Sequence, residues 1–246
     1  MKIDNKTAVI TGAGTGIGRA TALKLAEQGA NIVLNYSRSK EEAEKTLREI
    51  ESFGVKAFTY KADVSKVDEV EAMCKEAVDQ FGSIDILINN AGATNFVELD
   101  DLDGMLEEYW DNTFNINVKG SFFVSRACAE ELKKNEGCII NITSIAGLNG
   151  AGSSMAYAAS KAAGISITKS FARVLAPHVR VNSVAPGIVN TRWVDGKDEH
   201  IKKFGENTPL GRVADPEDIG SMVLGIIQGG DFVTGQTIVV DGGWTL

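Results

Sequence analysis

Tyr157 and Lys161 stand four residues apart, and Ser144 precedes the tyrosine by thirteen. Positions i and i+4 of a helix share a face, so this spacing sets an ammonium beside a phenol. A phenol with an ordinary pKa of about 10 is poorly matched to proton transfer at neutral pH unless a nearby cation favours its phenolate. Lys161 supplies that field, and the Ser144 hydroxyl is suited to holding a carbonyl or alcohol oxygen. The chemistry in view is proton transfer to or from such an oxygen. With 4 Tyr, 15 Ser and 17 Lys in 246 residues, random placement predicts only about 0.02 triplets of this spacing.

A second group of residues points to a phosphate-bearing ligand. Thr11-Gly12-Ala13-Gly14-Thr15-Gly16-Ile17-Gly18 follows an apolar run and opens a helical pattern. Glycines permit a tight turn and close backbone approach, and the free N–H groups and positive dipole end of the helix suit a pyrophosphate. The spacing is G-x-x-x-G-x-G rather than the general G-x-G-x-x-G. The second apolar run ends in Asn35-Tyr36-Ser37-Arg38, without the carboxylate that would accept a ribose 2′-hydroxyl. Ser37 and Arg38 are phosphate donors, so NADP(H) is favoured, with NAD(H) second. Asp63-Val64 follows the third run, where a carboxylate would meet an adenine amino group, and Asn89-Asn90-Ala91-Gly92 ends the fourth.

The elements that must position these residues follow from periodicity. Thr7–Thr11, Asn31–Asn35, Val55–Tyr60, Ile84–Ile88, Cys138–Ile142, Val179–Val184 and Thr237–Val240 are short, β-branched apolar runs, as expected of strands covered on both faces. Between them lie helical patterns at Ile17–Gln28, Lys40–Phe53, Val67–Phe81, Leu106–Lys134, Met155–Leu175 and Pro216–Gln228. Strict alternation predicts a doubly wound α/β fold with a seven-stranded parallel sheet, a single domain over residues 1–246. Its carboxyl edge is where ligands bind. Residues 187–213 show no clear period and are read as a substrate lid. With Ala93–Val97 and Ala146–Met155, the segment Val189–Phe204, including Trp193 and His200, supplies candidate pocket walls.

Composition removes several function classes. Basic side chains number 25 and acidic ones 33, a net charge of −8, which leaves no basic stripe for nucleic acid. No apolar run reaches the roughly 20 residues of a membrane span, so a cytoplasmic protein with no membrane partner is expected. Cys74, Cys128 and Cys138 lack C-x-x-C spacing and read as reduced, buried thiols with no metal site. The long helical patterns carry apolar residues such as Phe122, Phe123, Ile165 and Ile167 on more than one face, and the chain ends in Trp244-Thr245-Leu246. Both features predict self-association, a homotetramer with two-fold axes.

Across essentially its whole length the chain resembles the short-chain dehydrogenase/reductase family. Thr11–Gly18 is similar to the family's T-G-x-x-x-G-x-G turn, Asn89–Gly92 to its N-N-A-G, Ser144, Tyr157 and Lys161 to its triad, and Pro186-Gly187 with Thr191 to its P-G-x-x-x-T segment. The resemblance implies a Rossmann fold and hydride transfer between the nicotinamide cofactor and a ketone or secondary alcohol. It implies Tyr157 as general acid, Ser144 as the group orienting the carbonyl, and Lys161 as the residue that tunes the tyrosine and holds the nicotinamide ribose. Asn117 matches the fourth catalytic member, which positions a water leading to Lys161. Gly12, Thr15, Gly16, Ile17, Gly18, Ser37, Arg38, Asp63, Val64, Asn90, Ala91, Gly92, Pro186, Gly187, Val189 and Thr191 become cofactor contacts. Within the family the chain is most similar to 3-oxoacyl-acyl-carrier-protein reductases, but Thr15 replaces their basic turn residue and Asn135-Glu136-Gly137 replaces basic carrier-docking positions, leaving Arg173. An acyl carrier protein is therefore a poor partner for this acidic chain, and a small ketone or alcohol a better one. The alternatives are a sugar or polyol dehydrogenase and a catalytically silent NADP(H)-binding sensor.

Overall fold

The computed structural model describes residues 1–246 apart from 195 and 197, and the side chains of 198 and 200 also lie outside the description. The pocket-wall expectation for His200 falls there. Seven strands, β1 (Thr7–Ile10), β2 (Asn31–Tyr36), β3 (Ala57–Lys61), β4 (Ile86–Asn89), β5 (Cys138–Ile142), β6 (Arg180–Pro186) and β7 (Thr237–Val240), form one sheet in the order β3-β2-β1-β4-β5-β6-β7. Every pairing is parallel. Because side chains alternate along a strand, the strands inside the sheet feed two cores, whereas the edge strand β7 packs Ile238 and Val240 on one and leaves Val239 exposed. Ala8, Ile10, Ile32, Leu34, Ile86, Ile88 and Ile140 pack with α1 (Gly16–Glu27) and α9 (Pro216–Gly229). Val9, Val33, Leu87, Ile139 and Val181 pack with α3 (Val67–Phe81), α5 (Ser121–Lys134) and α7 (Met155–Leu175) on the other face. This double coverage explains the uninterrupted apolar runs. It also places the chain reversal between β1 and β4, where the carboxyl ends of the strands diverge into a cleft.

The helical stretch expected at 106–134 is divided: α4 (Glu107–Phe114) runs into a π-helical turn, Asn115–Gly120, before α5 begins. Such wide turns insert an extra residue and re-aim a side chain. Here the turn carries Asn117, which is 5% exposed. The aperiodic segment also holds regular structure, a 3₁₀ turn at Arg192–Val194 and α8 (Asp198–Asn207). Only Ile201 and Phe204 give α8 large apolar side chains, too few to register as a period. The remaining helices are α2 (Lys40–Glu51) and α6 (Ala146–Asn149). Cys74, Cys128 and Cys138 are free and buried, and the described residues contain no group of three metal-ligating side chains. No helix among the described residues is long and apolar enough to cross a membrane.

Candidate active site

The turn after β1 is built by cross-strand hydrogen bonds. The Thr11 hydroxyl oxygen accepts from the N–H groups of Asn90 (2.9 Å) and Ala91 (3.0 Å), and Asn90 Nδ2 donates to the carbonyls of Thr11 (2.9 Å) and Gly12 (3.1 Å). From the other side, Asn35 Oδ1 accepts from the Gly12 N–H at 3.3 Å. Gly18 has no alternative at its position: a Cβ there would lie 2.4 Å from the Gly12 carbonyl oxygen and 2.5 Å from Asn90 Nδ2. The closeness lets α1 start directly behind the turn. The Thr15 side chain makes no capping bond, so the first-turn N–H groups of α1 rely on another acceptor.

At the opposite end of the cleft, Ser144 follows β5 and Tyr157 lies in the first turn of α7, where Ser154 Oγ accepts its N–H at 3.2 Å. The two elements are pressed together through α6. A Cβ on Gly147 would lie 2.6 Å from the Ala162 nitrogen and from the Lys161 carbonyl carbon, so only glycine allows α6 to rest on the α7 backbone. Lys161 is 7% exposed, and its Nζ donates to the Ile142 carbonyl at 2.9 Å. That Nζ is also 5.5 Å from the Tyr157 ring centroid. Burial pushes the Lys161 ammonium down to about 8 and the Tyr157 phenol up to about 12, the latter opposed by a hydrogen bond with the Ser144 hydroxyl. The phenol is thus raised, not lowered as its spacing from Lys161 predicts, because burial dominates while the Lys161 ammonium bonds the Ile142 carbonyl. At neutral pH the site holds a protonated phenol beside a cation close to its own titration point.

Asn117 stands behind this pair. Its Oδ1 accepts from the Ala93 N–H (2.8 Å), while its Nδ2 donates to the Ala93 carbonyl (3.0 Å) and to Ser160 Oγ (2.9 Å). The Ser160 hydroxyl in turn donates to the Tyr157 carbonyl at 2.7 Å. The wide helical turn is thereby tied both to the loop after Gly92 and to the helix that carries the tyrosine and lysine.

The sequence candidates gather in two adjoining cavities. The larger, about 870 Å³, is lined by Gly12, Thr15, Gly16, Ile17, Asn90, Ala91, Gly92, Ser144, Tyr157, Lys161, Pro186, Gly187, Val189 and Thr191. The smaller, about 110 Å³, is lined by Ser37, Arg38, Asp63 and Val64. Gly18 and Asn117 line neither, since one packs a helix and the other ties two elements behind the lysine. The pocket walls expected at 93–97, 146–155 and 189–204 contribute, among others, Phe96, Val97, Ala146, Ser153, Trp193 and Phe204. The Trp193 ring meets Tyr157 edge to face at 5.7 Å, and Phe204 stacks on Trp244 at 3.7 Å. Sequence reasoning missed Glu98, Asp101, Tyr109 and Trp244 as lining residues, and had Arg192 only as part of the pocket wall at 189–204 and not among the cofactor contacts. Only Arg192 carried a usable signal, a base directly after Thr191.

A doubly wound sheet with a glycine turn at its switch point, and Ser, Tyr and Lys converging across the cleft, defines a class: the chain belongs to the short-chain dehydrogenase/reductase family and is an oxidoreductase acting on carbonyl or alcohol groups. The family model described as enoyl-(acyl carrier protein) reductase matches residues 12–245. A 3-oxoacyl-[acyl-carrier-protein] reductase from Staphylococcus epidermidis is 42% identical over 97% of this chain and 98% of its own. The protein of the same description from Staphylococcus aureus is 42% identical over 97% of each chain. Among solved structures, a Burkholderia xenovorans protein of the short-chain dehydrogenase/reductase class superposes with TM-score 0.93 at 32% identity, covering 98% of each chain. Acetoin dehydrogenase from Salmonella typhimurium superposes with TM-score 0.86 at 32% identity, covering 98% of this chain and 97% of that one.

Proposed function

We propose that this protein is an NADP(H)-dependent reductase of a ketone, with the reverse oxidation of a secondary alcohol open to it. The observation that carries the reading is the convergence of Ser144, Tyr157 and Lys161 at one end of a cleft whose other end offers helix N–H groups and Arg38. The donor set fits a dinucleotide. Gly12, Thr15, Gly16 and Ile17 would hold its pyrophosphate, with Gly18 giving the helix its approach, and Ser37 and Arg38 would hold a 2′-phosphate. Asp63 and Val64 would meet the adenine. Asn90, Ala91, Gly92, Tyr157 and Lys161 would hold the nicotinamide ribose, and Pro186, Gly187, Val189 and Thr191 the carboxamide. When bound, the nicotinamide supplies the hydride.

The chain's own residues do the rest. The Ser144 and Tyr157 hydroxyls hold the carbonyl oxygen, and Tyr157 donates its proton there as negative charge develops. A phenol pushed up to about 12 keeps that proton at neutral pH, and the Lys161 ammonium, 5.5 Å from the ring centre, would stabilise the phenolate left behind. Asn117 steadies the path by which Lys161 is resupplied from solvent. Residues 187–213 act as the lid over the carbonyl.

A free ketone or small thioester suits this site better than an acyl chain on an acidic carrier protein. Glu98 and Asp101 line the cleft and Asp100 and Asp103 are exposed in the same loop, so a carrier of like charge is repelled. We place the protein in the cytoplasm as a homotetramer. Phe122 (41% exposed) packs on Phe171 at the outer face of α5 and α7, and Leu246 is fully exposed. A solution mass near the 26.2 kDa of one chain contradicts that assembly.

The test is consumption of NADPH against a panel of ketones, sugars, polyols run in reverse, and a β-ketoacyl thioester. Reduction of at least one ketone is expected. NADPH binding without turnover on any member favours the sensor reading.

A further inference from the structure

Arg192 belongs to the expected pocket wall at 189–204 but is absent from the candidate cofactor contacts, yet it reaches the far end of the cleft from the lid. Its Nη1 donates to Ser39 Oγ at 3.0 Å, and Ser39 directly precedes α2. It also lines the smaller cavity together with Ser37, Arg38 and Gly14, so two arginines, one from the loop after β2 and one from the segment after β6, border that space. Neither Arg192 nor Arg38 forms an ion pair among the described residues; the carboxylate ion pairs there are made by other bases. One bond to a neutral hydroxyl uses a single donor of the five on a guanidinium. The remaining donors form a planar fork matched to a phosphate.

The neighbours of Arg192 in sequence show what its position couples. Thr191 comes so close to the glycine turn that a Cβ on Gly16 would lie 3.2 Å from its Cγ2. Trp193 packs against the Tyr157 ring at 5.7 Å. Three consecutive residues thus touch the glycine turn, the entrance of α2 and the tyrosine. Resting on the reading of this site as an NADP(H) site, we infer that Arg192 is a cofactor-specificity residue: a second arginine, contributed by the lid, that grips the 2′-phosphate together with Arg38. The phosphate is then met by two guanidinium groups, which compensates for Thr15 bringing no charge to the turn.

Calorimetric binding of adenosine 2′,5′-bisphosphate and of 5′-AMP to the wild type, Arg192→Gln and Arg192→Lys tests the assignment without turnover. Arg192 is exposed, so these replacements leave the core untouched. The wild type is expected to prefer the bisphosphate, Arg192→Gln to lose at least about tenfold in affinity for it and less than about twofold for 5′-AMP, and Arg192→Lys to fall between. Equal losses for the two ligands, or none, overturn the inference and leave the NADP(H) reading on Arg38. A wild type that binds both ligands equally overturns the NADP(H) reading itself, and the inference with it.

Discussion

At the catalytic end of the cleft, Lys161 is 7% exposed, Asn117 5% and Ser144 9%, and each has a protein hydrogen-bond partner. At the other end, proposed to take the adenosine of the cofactor, Ser37, Arg38 and Arg192 are exposed, and the two arginines have no carboxylate partner among the described residues. The contrast follows from what each end is asked to do. Proton transfer needs groups whose pKa values are displaced and whose positions are fixed, and both come from burial against β5, α6 and α7. Recognition of a phosphate needs charges that remain hydrated and mobile until the ligand arrives, because a buried unpaired guanidinium would cost the fold heavily. Chemistry and cofactor choice are thus separable, and perturbations at the two ends should leave different signatures.

The largest effect is expected at the buried end. Tyr157→Phe removes the proton donor and should lower turnover by about three orders of magnitude while leaving NADPH affinity nearly intact; turnover within about tenfold of wild type contradicts the role. Lys161→Ala should be nearly as damaging, by about two orders of magnitude, and should also weaken NADPH binding because one ammonium serves two tasks. A variant that loses turnover with no change in cofactor affinity would remove the ribose from its duties.

At the exposed end, Arg38→Asp should shift the ratio of kcat/KM values for NADPH and NADH by about tenfold or more toward NADH, through lost pairing and added repulsion. A smaller, graded effect is expected from pH. Burial holds the Lys161 ammonium at about 8, so it is charged below that pH and neutral above, whereas Tyr157 keeps its proton up to about 12. The kcat/KM for ketone reduction should therefore fall as pH rises through about 8, and a profile flat to well above that value would detach Lys161 from the chemistry.

How much of this could be read in advance differs between the same two regions. Ser144, Tyr157 and Lys161 were legible because helical spacing alone puts the last two on one face, and the strand pattern puts the first at the same sheet edge. The seven strands and their parallel arrangement, though not their order in the sheet, were legible for a related reason, since the central runs are buried on both faces and even the half-buried edge runs are mostly apolar. Asn117 was accessible only through family resemblance, because its place depends on a π-helical turn that the surrounding apolar period does not reveal. Arg192 and Ser39 are 153 residues apart, and no local pattern relates them. Phe204 and Trp244 likewise meet only after the chain has folded.

The separation of the two ends is tested most directly by measuring kcat/KM with NADPH and with NADH for the wild type, Tyr157→Phe and Arg38→Asp on one ketone. The account predicts that Tyr157→Phe lowers both values by the same large factor and leaves their ratio in place. It predicts that Arg38→Asp moves the ratio toward NADH while the better of its two cofactors still supports turnover. A ratio that changes with Tyr157, or activity that collapses with both cofactors on changing Arg38, would contradict it.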